Sequence, residues 1–230
     1  MTQDVKKPAV GERTMTLKAV PFFTQLSDSE LDLVRSVAAE KNYPKNAVVL
    51  TEGEMGDSLF MIVSGKVKVF IGDEEGREII LKILGPGAFF GEMSMIDKQA
   101  RSASVTTIEQ SSFLVLTHVA FERLIEQAPR IANVVMQILA QRVREADRKI
   151  GTLALMDVYG RVASTLLELS VYNNGKLMVG EKLSQQDLAN MVGASREMVN
   201  RILKDLSDRG FISIESKSIT IINRELPPSL

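Results

Sequence analysis

The sequence predicts an α+β protein in which an N-terminal β jelly roll is followed by a long dimerisation helix and a C-terminal winged helix-turn-helix. Short β-type runs punctuated by glycine fill the stretch from about Val48 to Leu116. A long apolar helical repeat comes next, and two short helices and a β pair end the chain. These observations predict a tail at 1–20, a β-roll at 21–117, the helix at 118–155 and the winged domain at 156–230.

Composition narrows the class of protein. The 230 residues are 45% hydrophobic and 25% charged, which is an ordinary globular balance. The absence of cysteine excludes disulfides, thiolate-held iron–sulfur clusters and cysteine zinc sites. No apolar run approaches the roughly 18–20 residues of a membrane span and the start lacks a signal-peptide core, so we expect a cytoplasmic protein with no membrane partner. The net charge of −1 means that any nucleic-acid binding must come from a local surface.

The first helix and the β-type runs have recognisable boundaries. Residues 1–14 are polar and aperiodic, as in a frayed tail. Ser27 followed by Glu30 forms a capping box that predicts a short helix. After it, glycines separate the runs "VVL", "SLFMIVSG", "KVKVFIG", "EIILKILG" and "SSFLVL". Strands of this length and spacing favour an antiparallel sandwich or jelly roll.

The helical pattern from about Val119 to Met156 carries an apolar stripe. Its members recur at alternating spacings of about four and three residues, as in a two-stranded coiled coil. We call this set the α-helical stripe: Ala132, Met136, Leu139, Val143, Ala146, Ile150 and Leu153. The stripe predicts a parallel homodimer; the alternative is that it packs only on its own domain.

The segment "LSQQDLANMVGASREMVNRILKDL" predicts a helix-turn-helix. Ser184 caps the first helix with Asp187 at its third position, Gly193 lies in the turn, and Ser195 caps the second helix. The runs "FISI" and "SITII" follow as a β-hairpin wing. The combination favours a DNA-binding domain.

The front of the second helix carries side chains suited to base recognition. Arg196, Glu197 and Arg201 lie at about 0°, 100° and 140° around the axis at ~100° per residue. Arginine donates to guanine O6 and N7 and glutamate accepts from cytosine N4, while Ser195 can reach a phosphate. The predicted DNA-binding residues are Ser195, Arg196, Glu197, Asn200 and Arg201. The alternative is a solvated helix with incidental charges, because the acidic and basic residues of 184–210 balance.

Glu92 and Arg101 stand close together in the otherwise apolar stretch "GAFFGEMSMIDKQARSASV". An enzyme is the rival class, but "GPGAFFG" is not a dinucleotide fingerprint and no helix is predicted after it. No GK[ST] loop is present, and one histidine without cysteine assembles neither a catalytic triad nor a metal cluster.

Residues 21–225 resemble the cyclic-AMP receptor protein/FNR superfamily of bacterial transcription regulators. The resemblance rests on "EGEMGDSLFMIVSGKVKVF", "GAFFGEM", "ARSASV", "LMDVYGRVASTLLEL" and "SREMVNRIL". The resemblance implies that the β-roll binds a cyclic nucleotide and that the partners are palindromic double-stranded DNA and RNA polymerase. It also implies that Arg196, Glu197 and Arg201 read the DNA bases and that Asp157 is the hinge. The branch with a cysteine-held cluster is excluded, and a lone His118 argues against haem.

Binding of a cyclic nucleotide would explain why Glu92 and Arg101 lie close together. Glu92 would accept from the ribose 2′-hydroxyl, and Arg101 would pair with the phosphate beside Ser102 and backbone N–H groups. The resemblance assigns the family's phosphate-binding cassette to Gly91, Glu92, Met93, Arg101, Ser102 and Ala103. The alternative is an internal Glu92–Arg101 salt bridge in an empty roll.

The residues that would contact the nucleobase of the ligand depart from the family pattern. Two hydroxyl residues on the dimer helix contact adenine in the cyclic-AMP receptor proteins, and the matching positions here are Ala146 and Asp147. A carboxylate suits guanine N1–H and N2–H, with Arg144 or Arg148 donating to O6 and N7. We therefore place cyclic di-GMP slightly ahead of cyclic AMP, unless Asp147 is simply solvated. Two further alternatives remain. The protein is a DNA-binding regulator whose pocket is empty or binds an effector other than a nucleotide, or it is a cyclic-nucleotide sensor module that does not bind DNA.

Overall fold

The computed structural model describes residues 26–173, 175–180, 183–215 and 218–223. The chain forms two compact units. The first holds the residues up to Gly72 together with Leu81–Ala140, and the second holds Asp73–Ile80 and the residues from Gln141 onward. The predicted domain boundaries stay predictions, and the predicted tail lies outside the described residues.

The first unit begins with helix α1 (Asp28–Val37). The predicted capping box is present: Ser27 Oγ accepts from Glu30 N at 3.3 Å, and Glu30 Oε2 accepts from Ser27 N at 2.7 Å. The helix buries Leu31 and Val34. Its apolar face therefore joins the core of the unit.

Eight strands form two four-stranded sheets with the orders β1-β8-β3-β6 and β2-β7-β4-β5. The pairings β1–β8, β3–β8, β3–β6, β2–β7 and β4–β7 are antiparallel. This confirms the predicted N-terminal β domain. The strands are β1 (Ala39–Tyr43), β2 (Val48–Leu50), β3 (Ser58–Ser64), β4 (Val67–Gly72), β5 (Glu78–Leu84), β6 (Phe89–Phe90), β7 (Ser104–Thr107) and β8 (Ser111–Thr117).

The sequence missed three of these strands and one helix. Strand β1 reads AEKNY, which is polar and largely exposed and so lacks the alternation of a half-buried strand. Strand β6 is only two residues long, and β7 reads SVTT without a strongly apolar run. Helix α2 (Glu92–Asp97) follows β6, so the expectation that no helix comes after "GPGAFFG" is wrong.

The long helical pattern is two helices rather than one. Helix α3 (His118–Gln127) and helix α4 (Arg130–Leu155) are separated by Ala128 and Pro129. Proline disfavours the α conformation of the residue before it, and Ala128 adopts φ −139°, ψ 75°. The predicted start at Val119 is close to that of α3, while the apolar stripe belongs to α4 alone.

Two clusters of buried side chains stabilise the first unit. One packs α1, α3 and the start of α4 against Leu59, Met61 and Phe89. The other fills the roll around three aromatic rings, where the Phe60 and Phe90 centroids are 5.2 Å apart and Phe113 packs edge-on against Phe90 at 5.4 Å. The roll interior is therefore largely apolar, and the buried charged side chains of its described residues are Glu92 and Arg101.

The second unit contains the predicted winged helix-turn-helix. Its sheet has the order β11-β12-β10-β9, and the strands next to α5 were not predicted. Those two strands are only four residues long, and neither alternates between buried and exposed positions. The elements are α5 (Val158–Glu168), β9 (Ser170–Asn173), β10 (Lys176–Val179), α6 (Gln185–Val192), α7 (Arg196–Asp208), β11 (Ile212–Glu215) and β12 (Ser218–Ile221).

The helix-turn-helix has the predicted caps. Ser184 and Asp187 form a capping box, Gly193 ends α6 in the left-handed conformation at φ 64°, and Ser195 caps α7 by accepting from Met198 N. A polar group is buried behind these helices: Tyr159 Oη donates to Asp205 Oδ2 at 2.8 Å and accepts from Arg209 Nη1 at 3.4 Å. Burial, with the bond to Asp205, raises the pKa of Tyr159 to about 12.

Helix α4 contacts the helix-turn-helix through a lysine. Lys149 Nζ donates to Met191 O at 2.8 Å, and this carbonyl belongs to the last turn of α6. Burial lowers the pKa of Lys149, and the charge of Glu168 partly opposes that shift. The contact was not predicted, since Lys149 looks like one of several solvated charges on the helix. None of the helices among the described residues combines the length and hydrophobicity that crossing a membrane requires.

Candidate functional site

The cassette lies where β6 turns into helix α2. Gly91 adopts φ 81° as the N-cap of α2, and Glu92 is the first helical residue. Glu92 is 3% exposed and Arg101 is 6% exposed. The structure therefore places an acid and a base inside the first unit, as the sequence suggested, and does so on a short helix that the sequence did not reveal.

Arg101 is held by neutral acceptors. Its Nη1 donates to Gly91 O at 2.6 Å and to Ser94 Oγ at 2.6 Å. Its backbone N donates to Glu54 O at 2.8 Å, and its carbonyl accepts from Gly53 N at 2.9 Å. Both the chain and the side chain of Arg101 are thus fixed from the loop before β3 and from α2.

Two glycines let the guanidinium fit. A Cβ on Gly56 would overlap the Arg101 Nε, Nη2 and Cζ atoms. A Cβ on Gly91 would come within 2.9 Å of Arg101 Nη1 and 2.8 Å of Ser58 O, in addition to the strain of its positive φ. In the sequence Gly56 is one of the glycines that separate the β-type runs, and nothing there indicates its proximity to Arg101.

The electrostatics of the cassette favour an anion. Burial lowers the pKa of Arg101, while the charges of Asp57 and Glu92 act in the opposite direction. A desolvated guanidinium gains strongly from a further negative charge because the surrounding dielectric constant is low. The pocket can therefore hold an anionic group beside a buried carboxylate.

The other cassette residues line the exposed side. Met93 is 51% exposed, and Ser102 Oγ, also exposed, donates to Met93 Sδ at 3.5 Å. Ala103 is half-buried and immediately precedes β7. The six predicted cassette residues are thus together in the first unit. Sequence reasoning missed Ser94, whose only signal was a polar residue between the apolar Met93 and Met95.

The residues predicted to contact the nucleobase of the ligand are on α4. Arg144, Asp147 and Arg148 are exposed, and Arg148 Nε donates to Arg144 O at 3.3 Å. They belong to the second unit, whereas the cassette belongs to the first. Their role at a ligand stays a prediction.

The α-helical stripe is largely uncovered in the single chain. Met136 is 58% exposed, Val143 61%, Ile150 64% and Leu153 43%. Ala146 is exposed too, whereas Leu139 packs partly against the core of the first unit. A run of large apolar side chains on one long helix calls for a covering partner. Leu139 contributes to both the stripe and the core.

The exposed face of α7 carries the predicted DNA-binding residues. Arg196, Glu197, Asn200 and Arg201 are exposed, while the opposite face buries Val199, Ile202, Leu203 and Leu206. Hydrogen bonds from its own backbone and from Ser195, followed by the nearby charges of Arg196 and Arg201, keep the pKa of Glu197 low. The face therefore presents one ionised acceptor between two cationic donors.

Three further residues complete the account of the predicted sites. Gln185, at the start of α6, donates from Nε2 to Asn200 Oδ1 at 3.0 Å, a contact that the sequence did not suggest. Asp157 is the N-cap of α5 and accepts from Gly160 N at 2.8 Å. His118 begins α3, and its Nε2 lies 3.0 Å from Glu122 Oε1, which agrees with a hydrogen-bonding role at the strand–helix junction. Within the described ranges no three His, Cys, Asp or Glu side chains cluster as a metal site.

Comparisons with known proteins cover most of the chain. The cyclic nucleotide-binding domain family matches residues 40–128, and the Crp-like helix-turn-helix domain family matches residues 160–226. A CRP-like cAMP-activated global transcriptional regulator of Mycobacterium tuberculosis is 39% identical over 188 residues, which is 80% of this chain and 84% of that protein. The cyclic AMP receptor protein of Thermus thermophilus is 34% identical over 89% of this chain and 94% of its own.

Two solved structures are similar as well. The c-di-GMP responsive global regulator CLP of Xanthomonas campestris superposes with a TM-score of 0.76 at 26% identity, covering 86% of this chain and 100% of that one. The catabolite activator protein of Thermus thermophilus superposes with a TM-score of 0.55 at 32% identity, covering 90% and 95%.

Proposed function

The chain belongs to the family of CRP-like transcription regulators, and from this membership we propose that it is a homodimeric, sequence-specific DNA-binding regulator controlled by a cyclic nucleotide bound in its β-roll. The observation that carries the proposal is Arg101, a buried cation whose Nη1 is held by neutral acceptors beside the buried Glu92. A cyclic phosphate supplies an anion that can pair directly with the Arg101 guanidinium, and its ribose supplies a hydroxyl for the Glu92 carboxylate.

Each cassette residue has a role in this proposal. Arg101 pairs with the cyclic phosphate, and Glu92 accepts from the ribose 2′-hydroxyl. The hydroxyl of Ser102 and the backbone N–H groups of Gly91, Ser102 and Ala103 donate to the phosphate oxygens. Met93 covers the sugar from the exposed side.

Cyclic AMP is the first candidate ligand, because the similar curated regulators at 32–39% identity carry it in their names. Cyclic di-GMP is the second candidate. Asp147, exposed on α4, favours it because a carboxylate accepts from guanine N1–H and N2–H, and the similar CLP regulator responds to that nucleotide. Arg144 and Arg148 would then donate to the guanine O6 and N7 atoms.

The exposed face of α7 would read DNA in the major groove. Arg196 and Arg201 donate to guanine, Glu197 accepts from cytosine, Asn200 suits adenine, and Ser195 contacts a phosphate. Two such helices in a two-fold dimer would recognise a palindrome with half-sites of the TGTGA kind one helical turn apart. The exposed α4 stripe supports that dimer, and RNA polymerase is the expected partner on DNA.

In this proposal the protein has two states that differ in the orientation of the DNA-binding domains. The ligand controls DNA binding only if its affinity differs between these two states. We propose that the change of orientation takes place at Asp157, the N-cap of α5. At this residue the end of α4 is connected to the first helix of the winged domain.

One experiment tests the function. The purified protein is titrated calorimetrically with cyclic AMP, cyclic GMP and cyclic di-GMP, and its binding to a TGTGA-type palindrome is followed by fluorescence anisotropy with and without each ligand. We expect micromolar or tighter binding of one nucleotide and a change of at least tenfold in DNA affinity. No heat with any nucleotide would refute the ligand, and no DNA binding under any condition would favour a sensor module.

Asp147→Ala separates the two ligands. If Asp147 reads guanine, the variant should lose about tenfold or more in affinity for cyclic di-GMP and keep its affinity for cyclic AMP, because alanine offers no acceptor. Ser111→Ala, distant from α4 in sequence and buried in β8, serves as the control. Equal affinity of the wild type and Asp147→Ala for cyclic di-GMP would remove the guanine assignment.

A further inference from the structure

Ser94 is a buried polar residue outside the predicted cassette. It lies on α2 two residues after Glu92 and is 3% exposed. Its Oγ accepts from Arg101 Nη1 at 2.6 Å, and Gly91 O accepts from the same nitrogen at 2.6 Å. A guanidinium Nη carries two hydrogens, so these two acceptors account for both of them.

The chemistry of the two acceptors matters for a ligand. A carbonyl and a hydroxyl fix the direction of the N–H bonds, but neither cancels the positive charge. The guanidinium is therefore fixed in one plane while its charge still attracts an anion. The three hydrogens on Nε and Nη2 take no part in the bonds to Ser94 and Gly91.

Burial of the Ser94 hydroxyl is otherwise hard to explain. A buried helical position between two methionines suits alanine at least as well, because an unbonded hydroxyl costs free energy when it leaves water. The bond to Arg101 offsets that cost. Ser94 therefore serves the arginine rather than the packing of α2 alone.

We propose that Ser94 is a positioning residue: by sharing Arg101 Nη1 with the Gly91 carbonyl it sets the guanidinium orientation that receives the phosphate of the ligand. The proposal rests on the proposed function and extends it to a residue that contacts no ligand atom. A pre-set orientation avoids the entropy that a mobile arginine loses on binding. Ser94 thus acts on affinity for the phosphate and not on the choice of base.

The test compares Ser94→Ala with wild type in calorimetric titrations with cyclic AMP and cyclic di-GMP. We expect about tenfold weaker binding of whichever nucleotide the wild type binds, and the same factor for both if both bind. Ser111→Ala is the matched control. Ser111 is 2% exposed and its hydroxyl donates to Glu109 O at 2.8 Å, so the control also removes a buried, bonded hydroxyl from the first unit without touching Arg101.

A spectroscopic measurement separates positioning from a general loss of structure. In ¹⁵N-labelled ligand-free protein, the Arg101 guanidinium signals are assigned by their loss in Arg101→Lys. Wild type should show distinct Nη1 and Nη2 signals, because the two hydrogen bonds of Nη1 hinder rotation about the Nε–Cζ bond that exchanges the two nitrogens. Ser94→Ala should show the two signals merged. Ser94→Thr retains the hydroxyl and should restore both the separate signals and most of the affinity.

The outcomes are distinguishable. Wild-type affinity in Ser94→Ala, or a loss of affinity with unchanged Arg101 signals, would overturn the positioning role and leave the proposed function in place. A wild type that binds no cyclic nucleotide would overturn the proposed function and this inference with it. If Ser94→Ala fails to fold, Ser94→Thr decides: it must bind like the wild type, and a tenfold loss despite its hydroxyl would refute the proposal.

Discussion

The first and second units use arginine in opposite ways. Arg101 is 6% exposed, and its side chain donates through Nη1 to a carbonyl and a hydroxyl of its own unit. Arg196 and Arg201 are exposed on a helix whose other face is buried. A buried cation with fixed geometry suits one small anion, whereas exposed cations on a rigid helix suit an extended surface. The same side chain is therefore suited to a pocket in one unit and to an interface in the other.

The largest effect should come from dissociating the dimer, because this separates the two α7 helices that carry Arg196 and Arg201. Val143→Asp places a carboxylate at a 61% exposed stripe position opposite its symmetry mate, at a cost of about 3–5 kcal/mol to the dimer. Sedimentation velocity at micromolar concentration should show a monomer. Binding to the palindrome should fall more than 100-fold, since one half-site remains.

Gln137→Asp is the control, because it adds the same charge to an exposed position of α4 outside the stripe. A dimeric Val143→Asp protein would show that the stripe is not the interface. Leu139→Asp is less informative, since Leu139 also packs on the core of the first unit.

Arg101→Ala should have the next largest effect, and it acts on the pocket alone. Losing the cation leaves the phosphate and Glu92 without a shared counter-charge in a buried site, at a cost of about 2–5 kcal/mol in binding. Calorimetry should show loss of binding for both cyclic AMP and cyclic di-GMP. Arg123→Ala removes an exposed arginine of the same unit and should bind normally. Nanomolar to micromolar binding by Arg101→Ala would refute the cassette.

Arg201→Ala should have a smaller and more selective effect. A lost bidentate contact costs about 1–3 kcal/mol per half-site and relaxes specificity at one base position. Anisotropy with a set of single-base operator variants measures this. Lys204→Ala, exposed on the same helix, should weaken all operators equally. If Arg201→Ala also weakens binding to all operators equally, then Arg201 contacts a phosphate.

Tyr159→Phe should give the smallest effect and concerns the buried polar group of the second unit. The variant loses the bond to Asp205, worth about 1 kcal/mol in the free energy of unfolding at neutral pH. The pKa of Tyr159 is raised from 10.0 to about 12, so its contribution is fully present below pH 10 and disappears as the pH rises to 12. Denaturant unfolding at several pH values should therefore show the two proteins converging above pH 10. A constant difference would contradict the raised pKa.

The contrast between the two units also explains which features could be predicted. The caps of α6 and α7 depend on neighbours in sequence, so Ser184, Asp187 and Ser195 were placed correctly. The break before α4 follows from Pro129 but was hidden by apolar periodicity that continues on both sides of it.

The pocket was only partly predictable. Glu92 and Arg101 were evident as charges in an apolar stretch, and the structure buries both. The surroundings of Arg101 could not be derived, because Gly56, which leaves room for the guanidinium, and Ser94, which accepts from it, reach Arg101 through tertiary folding and not through a sequence period. Similarly, the contact of Lys149 with Met191 joins residues 42 positions apart.

Gly56 has a practical use as a diagnostic position in sequence searches. A side chain at this position would displace the Arg101 guanidinium, so glycine here favours the position that the arginine adopts in this chain. In a related chain with arginine at 101 and a larger residue at 56, the guanidinium is expected to be shifted. Pairs of positions of this kind can be compared among related chains to find those that place the arginine as this chain does.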